Sequence, residues 1–141
     1  MSDYPAAGLY RIRGSMNGCT ATILNGQNVL RGEPINDSVT YSWNLKYVPG
    51  TFKKLCYFED PKSPGTQLGV NSVQTDQAIY RIGPGKGTSI WEIKKTENGY
   101  TMSTTTESDG KEYFWYLGNA GEPIIIAEES MGIQSWVFQS I

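Results

Sequence analysis

The chain has 141 residues, 38% hydrophobic and 18% charged, with 12 lysines and arginines against 14 aspartates and glutamates. That balance describes a globular chain, long enough to bury a core without disulfide or metal staples, and it gives no basic excess for nucleic acid and no apolar run near the ~20 residues that cross a bilayer. Histidine is absent and there are two cysteines, so Ser-His-Asp catalysis, Cys-His catalysis, His-bound zinc and a four-thiolate metal site are all excluded.

The start of the chain, Met1-Ser2-Asp3-Tyr4-Pro5, has neither a basic region nor an apolar stretch. It therefore predicts no secretory signal and a cytoplasmic location. Cys19 and Cys56 are then expected as reduced thiols, and the sequon Asn36-Asp37-Ser38 as unused.

No segment carries apolar residues at helical spacing; short alternating runs between Gly, Pro, Asn and Asp predict an all-β chain. In chain order the first four strands run from Leu9 to Arg13, Thr20 to Leu24, Asn28 to Arg31 and Tyr41 to Tyr47. The next four run from Phe52 to Tyr57, Gln67 to Val70, Ala78 to Ile82 and Ser89 to Lys94. The last four run from Tyr100 to Thr104, Tyr113 to Leu117, Ile124 to Ala127 and Ser135 to Gln139. Between them, Asn17-Gly18, Asn25-Gly26, Asn98-Gly99 and Asp109-Gly110 supply the positive-φ residues of tight hairpins.

Three of these strands share a pattern: Trp43-Asn44-Leu45, Trp91-Glu92-Ile93 and Trp136-Val137-Phe138. Alternation puts each tryptophan and the apolar residue two places on against the core. A second marker, a glycine with an aromatic close behind, occurs at Gly8-Leu9-Tyr10, Gly50-Thr51-Phe52 and Gly99-Tyr100. Two markers at a recurring interval predict three repeats of about four strands within a single domain spanning residues 1–141. A sandwich leaves the threefold recurrence unexplained, and three blades fall below the usual propeller.

Several motifs carry chemistry only superficially. Gly83-Pro84-Gly85-Lys86-Gly87-Thr88 breaks the phosphate-loop spacing and precedes a strand. Glu59-Asp60 and Glu128-Glu129 are adjacent, so they point to opposite strand faces and read as solvated loop charge. In Tyr113-Phe114-Trp115-Tyr116-Leu117 one alternating set fills the core, and the other lies under a loop or forms a contact surface. The small polar turns Asn17-Gly18 and Asn25-Gly26-Gln27-Asn28 are narrow enough to enter a partner's cleft.

Twelve strands in three fourfold units resemble the β-trefoil, in which six strands close a barrel and three hairpins cap it. Gln134-Ser135-Trp136 resembles the Q-x-W mark of ricin-B-type lectins, but Tyr41-Ser42-Trp43 and Ser89-Ile90-Trp91 lack the glutamine. With Gly8-Leu9-Tyr10-Arg11-Ile12 and the terminal Trp136-Val137-Phe138, the whole chain most resembles the mushroom β-trefoil protease inhibitors called cocaprins. That resemblance implies a non-enzymatic, cofactor-free and metal-free protein that reversibly inhibits papain-like cysteine proteases and pepsin-like aspartic proteases, with a homodimer as partner state. It places the cysteine-protease-binding loop at Asn25, Gly26, Gln27 and Asn28. The related mycocypins would shift the contact to Asn17, Gly18 and the Gly32 to Asp37 segment. The alternative is a β-trefoil lectin that binds glycans through Trp115 or Tyr113.

Overall fold

A computed structural model describes residues 4–34, 41–83 and 85–141. Twelve strands form: β1 (Gly8–Gly14), β2 (Thr20–Ile23), β3 (Leu30–Glu33), β4 (Trp43–Tyr47), β5 (Leu55–Glu59), β6 (Gln67–Gly69), β7 (Tyr80–Ile82), β8 (Trp91–Thr96), β9 (Gly99–Thr105), β10 (Glu112–Tyr116), β11 (Ile125–Glu128) and β12 (Trp136–Ser140). One turn of 3₁₀ helix, Glu129–Met131, precedes the last strand.

Six of the strands close a ring. β1 pairs with β4, β4 with β5, β5 with β8, β8 with β9, β9 with β12 and β12 with β1, all antiparallel. Closure satisfies both edges of every barrel strand and removes the exposed edge of an open sheet. The hairpins β2–β3, β6–β7 and β10–β11 cap the ring.

The cap holds itself together through a cycle of backbone bonds. Leu30 N–H donates to the Ile79 carbonyl at 2.8 Å, Ile79 N–H to Ile124 at 3.0 Å, and Ile124 N–H to Leu30 at 2.8 Å. A second cycle runs from Gly32 N–H to Glu122, Arg81 N–H to Asn28, and Ile126 N–H to Gln77. These bonds fix the threefold register: Leu30, Ile79 and Ile124 are equivalent, and so are Gly32, Arg81 and Ile126. The three axial apolar residues are fully buried, so every backbone polar group at this point finds its partner on the next repeat.

Trp43, Trp91 and Trp136 are fully buried beneath the cap, as their strand phase predicts. Leu45 and Ile93 are buried with them, while Phe138 packs half-buried against the core at the chain end. Trp43 Nε1 donates to the Ala21 carbonyl and Trp91 Nε1 to the Leu68 carbonyl, each at 3.0 Å. The register makes Trp115 the third-repeat counterpart of Ala21 and Leu68. There the bond is missing, and the Nε1 atoms of Trp115 and Trp136 are both buried without a partner. Instead, the Trp115 ring lies edge-on to Trp91 at 5.6 Å and to Trp136 at 5.8 Å, an arrangement favoured by aromatic quadrupoles.

The strands correct two readings of the sequence. Gly50 does not open a strand: it sits in the β4–β5 turn at φ +78°, β5 begins at Leu55, and Phe52 is fully exposed. The strand registers align Ile12, Phe58 and Met102, so the glycine at position 50 kept phase with Trp43 only by count. The second correction concerns Tyr113, Phe114 and Trp115, all of which are buried. Tyr113 and Trp115 belong to the core cluster, so they present no glycan platform, while Tyr116 on the other face is half-buried.

Candidate functional site

The β2–β3 turn, residues 24–29, stands out among the predicted loops because residues 24–28 are exposed yet held at several points. Gly26 takes φ +81°, which lets the chain reverse, and Gln27 N–H closes the turn on the Leu24 carbonyl at 3.0 Å. Leu24, Asn25, Gly26, Gln27 and Asn28 are all exposed. Two arginines then fix the side chains. Arg31 Nε donates to Gln27 Oε1 at 3.0 Å, and its Nη1 to the Gly121 carbonyl at 3.3 Å. Arg81, from the second repeat, donates through Nη2 to Asn28 Oδ1 at 2.8 Å and to the Gln27 carbonyl at 3.2 Å.

Arg81 is itself held by a buried carboxylate. Its Nη1 meets Asp60 Oδ2 at 2.7 Å, and Asp60 is fully buried. The Tyr41 hydroxyl donates to the same oxygen at 2.7 Å, while the Lys62 backbone N–H donates to Oδ1 at 2.9 Å. Tyr41 stacks on Trp43 at 4.8 Å, and the Lys62 ammonium lies 4.3 Å above the Tyr41 ring. The chain of contacts thus runs from a core tryptophan through Tyr41, Asp60 and Arg81 to the tip of the turn. Such preorganisation lowers the ordering cost of binding. It also overturns the reading of Asp60 as solvated charge, because a carboxylate this deep requires a paired cation and donors. Glu59 points the other way and pairs with Lys46 at 3.2 Å.

Burial, followed by the hydrogen bond and charge of Asp60, pushes the Tyr41 phenol up to about 12. A phenol that resists ionisation when folded contributes stability below its ordinary value near 10. That contribution is lost as pH rises from there through about 12. Burial likewise raises the Cys56 thiol to about 12, which widens the window downward. Denaturant melts between pH 8 and 12 should therefore show stability falling above about pH 10, and less steeply in Tyr41→Phe. Equal slopes in the two proteins would rule out this role for Tyr41.

The other predicted contacts behave differently. Asn17 and Gly18 form the β1–β2 turn, where Asn17 Oδ1 accepts from Cys19 N–H at 2.9 Å and Gly18 sits at φ +68°. Met16 at the tip is almost fully exposed, beside a small shallow pocket lined by Gly14, Asn17, Gln134 and Ser135. The turn is separate from residues 25–28, with no bond between the two. Of the Gly32 to Asp37 segment, residues 35–37 lie outside the described residues. Gln134, the lectin-like glutamine, clamps Leu117 with two 2.8 Å bonds, one to its N–H and one to its carbonyl. Its amide thus ties the segment before β12 to the residue just after β10. Cys19 and Cys56 are free thiols, both buried.

No family model matches this sequence, and neither does any curated protein sequence. Among solved structures, the agglutinin of Rhizoctonia solani superposes over 100% of both chains with a TM-score of 0.74, at 15% sequence identity. The fold is a β-trefoil. At this identity the likeness concerns the barrel and cap, and the side chains at the β2–β3 turn have to be judged from their own geometry.

Proposed function

We propose that this β-trefoil is a non-enzymatic carbohydrate-binding protein and that the β2–β3 turn is its binding site. The observation that carries the reading is the pinned turn itself: exposed amide side chains held in one direction by Arg31 and Arg81. Fixed, directional polar groups are what a hydroxyl-rich ligand needs, since each hydrogen bond is made without ordering a floppy loop. The shared fold with an agglutinin supports the reading.

Only one of the three repeat junctions has this arrangement. The positions equivalent to Arg81 are Gly32 and Ile126, neither of which can reach out to a neighbouring turn. One chain therefore carries one such site among the described residues, and cross-linking of glycans would need two chains to associate.

A glycan array tests the proposal. Asn28→Ala is expected to weaken binding about tenfold, the worth of one well-placed hydrogen bond to a fixed partner. Absence of any glycan binding at high protein concentration would refute it.

The same rigidity favours a second reading: reversible inhibition of papain-like cysteine and pepsin-like aspartic proteases, with Gly26 at a tip narrow enough for a cleft. Titration against papain and pepsin decides that reading, and residual full activity at high micromolar protein removes it.

A further inference from the structure

We infer that the ligand group taken by the β2–β3 turn is the carboxylate of an acidic sugar; this rests on the carbohydrate-binding reading above. The direction of the two amides is fixed by chemistry. A guanidinium can only donate, so the oxygen of each amide must face its arginine. Gln27 Oε1 faces Arg31 and Asn28 Oδ1 faces Arg81. The NH₂ groups of both side chains are left for the ligand.

Several backbone acceptors on this surface are already engaged. The Leu24 carbonyl accepts from Gln27 N–H, the Gln27 carbonyl from Arg81, and the Asn28 carbonyl from Arg81 N–H. Arg81 has its Nη donors taken by Tyr41, Asp60, Gln27 and Asn28, so, beside the Asn25 amide, the side chains offer donors: two amide NH₂ groups, the remaining N–H groups of Arg31 and the Lys62 ammonium. The charges point the same way. Arg31 and Arg81 both hold the turn, and the Lys62 ammonium lies over the Tyr41 ring, whose hydroxyl donates to Asp60; that carboxylate is buried and already neutralised by Arg81. Among the described residues, Arg31 and Lys62 have no carboxylate within 4.0 Å. A chain of net charge -2 thus carries near this turn two cations without a salt-bridge partner among the described residues.

A donor-rich, cationic surface selects a ligand that accepts and is anionic. A sugar carboxylate accepts at both oxygens, and the neighbouring hydroxyls accept as readily as they donate. An acidic peptide fits less well, because its backbone N–H groups would meet donors and lose their hydrogen bonds on binding.

Calorimetric titration of the full chain at low salt tests the inference with three probes. They are an oligosaccharide ending in glucuronic acid, the same oligosaccharide with that carboxyl reduced to the alcohol, and a glutamate-rich peptide of matched charge. The acid glycan should bind about tenfold tighter than its reduced form, with the advantage shrinking as salt is added. Lys62→Gln and Arg31→Gln should each lower the acid-to-neutral ratio, whereas Lys111→Gln on the β9–β10 turn should leave it unchanged. Equal affinity for the acid and reduced glycans would overturn the inference and leave the carbohydrate reading standing. Binding of neither glycan would overturn both. Peptide binding as tight as the acid glycan would replace the sugar with an acidic peptide.

Discussion

Arg81→Ala is expected to cost roughly 3–5 kcal/mol of folding stability, because it strands a fully buried carboxylate. Asp60 has Arg81 as its cation at 2.7 Å; the remaining donors, the Tyr41 hydroxyl and the Lys62 N–H, are neutral. Neutral donors cannot offset the desolvation of a charge. Domains of this kind have only about 5–15 kcal/mol in hand, so the midpoint of thermal unfolding should fall by roughly 10–20 °C. Denaturant melts measure the loss directly, and a loss below about 1 kcal/mol would contradict the buried pair. Adding Asp60→Asn to Arg81→Ala should recover part of the stability, since the stranded charge is gone. It should not restore full ligand binding, because the Gln27 carbonyl and the Asn28 side chain still lack the guanidinium that holds them. Arg81→Lys separates the roles further: it keeps the charge near Asp60 but not the fork that holds Asp60 and Asn28 at once.

The architecture was legible in the sequence because it rests on features that recur. Trp43, Trp91 and Trp136 mark equivalent strands, alternation assigns their faces, and the Asn-Gly turns sit where hairpins reverse. The candidate turn at residues 25–28 was visible for the same reason, as small polar residues with a glycine. Its anchor was not. Arg81 lies ten residues before Trp91, but its first-repeat counterpart, Gly32, lies eleven before Trp43. Counting from the tryptophans therefore sets Arg81 beside Glu33, and an arginine beside a glutamate looks like ordinary surface charge. Only the backbone cycle on the axis aligns Arg81 with Gly32 and Ile126, where an arginine in the cap demands a buried partner. Asp60 failed for a related reason. Adjacent acids in a strand look alike in sequence, whereas the pleat sends Glu59 to Lys46 and Asp60 inward to Arg81.

Trp115→Ala is expected to destabilise the protein by about 3–5 kcal/mol, as truncation of a fully buried aromatic does, and not to remove a surface binding group. Trp115 is fully buried and touches three rings of the core: Phe58 at 5.3 Å, Trp91 at 5.6 Å and Trp136 at 5.8 Å. Its counterparts Ala21 and Leu68 are much smaller, so the third repeat supplies most of the volume at this level of the core. That volume is why alanine, the natural residue of the first repeat, cannot be accommodated here without a cavity. The surrounding rings belong to different strands of a closed barrel and cannot collapse inward together. Trp115→Phe should cost less, since it keeps an aromatic edge against Trp91 and Trp136 and deletes an indole N–H that has no partner. Melts of both variants, with glycan binding measured on the folded fraction, separate the two roles. Unchanged stability with binding abolished would place the ligand at β10, whereas a destabilised protein that still binds when folded leaves the site at the β2–β3 turn.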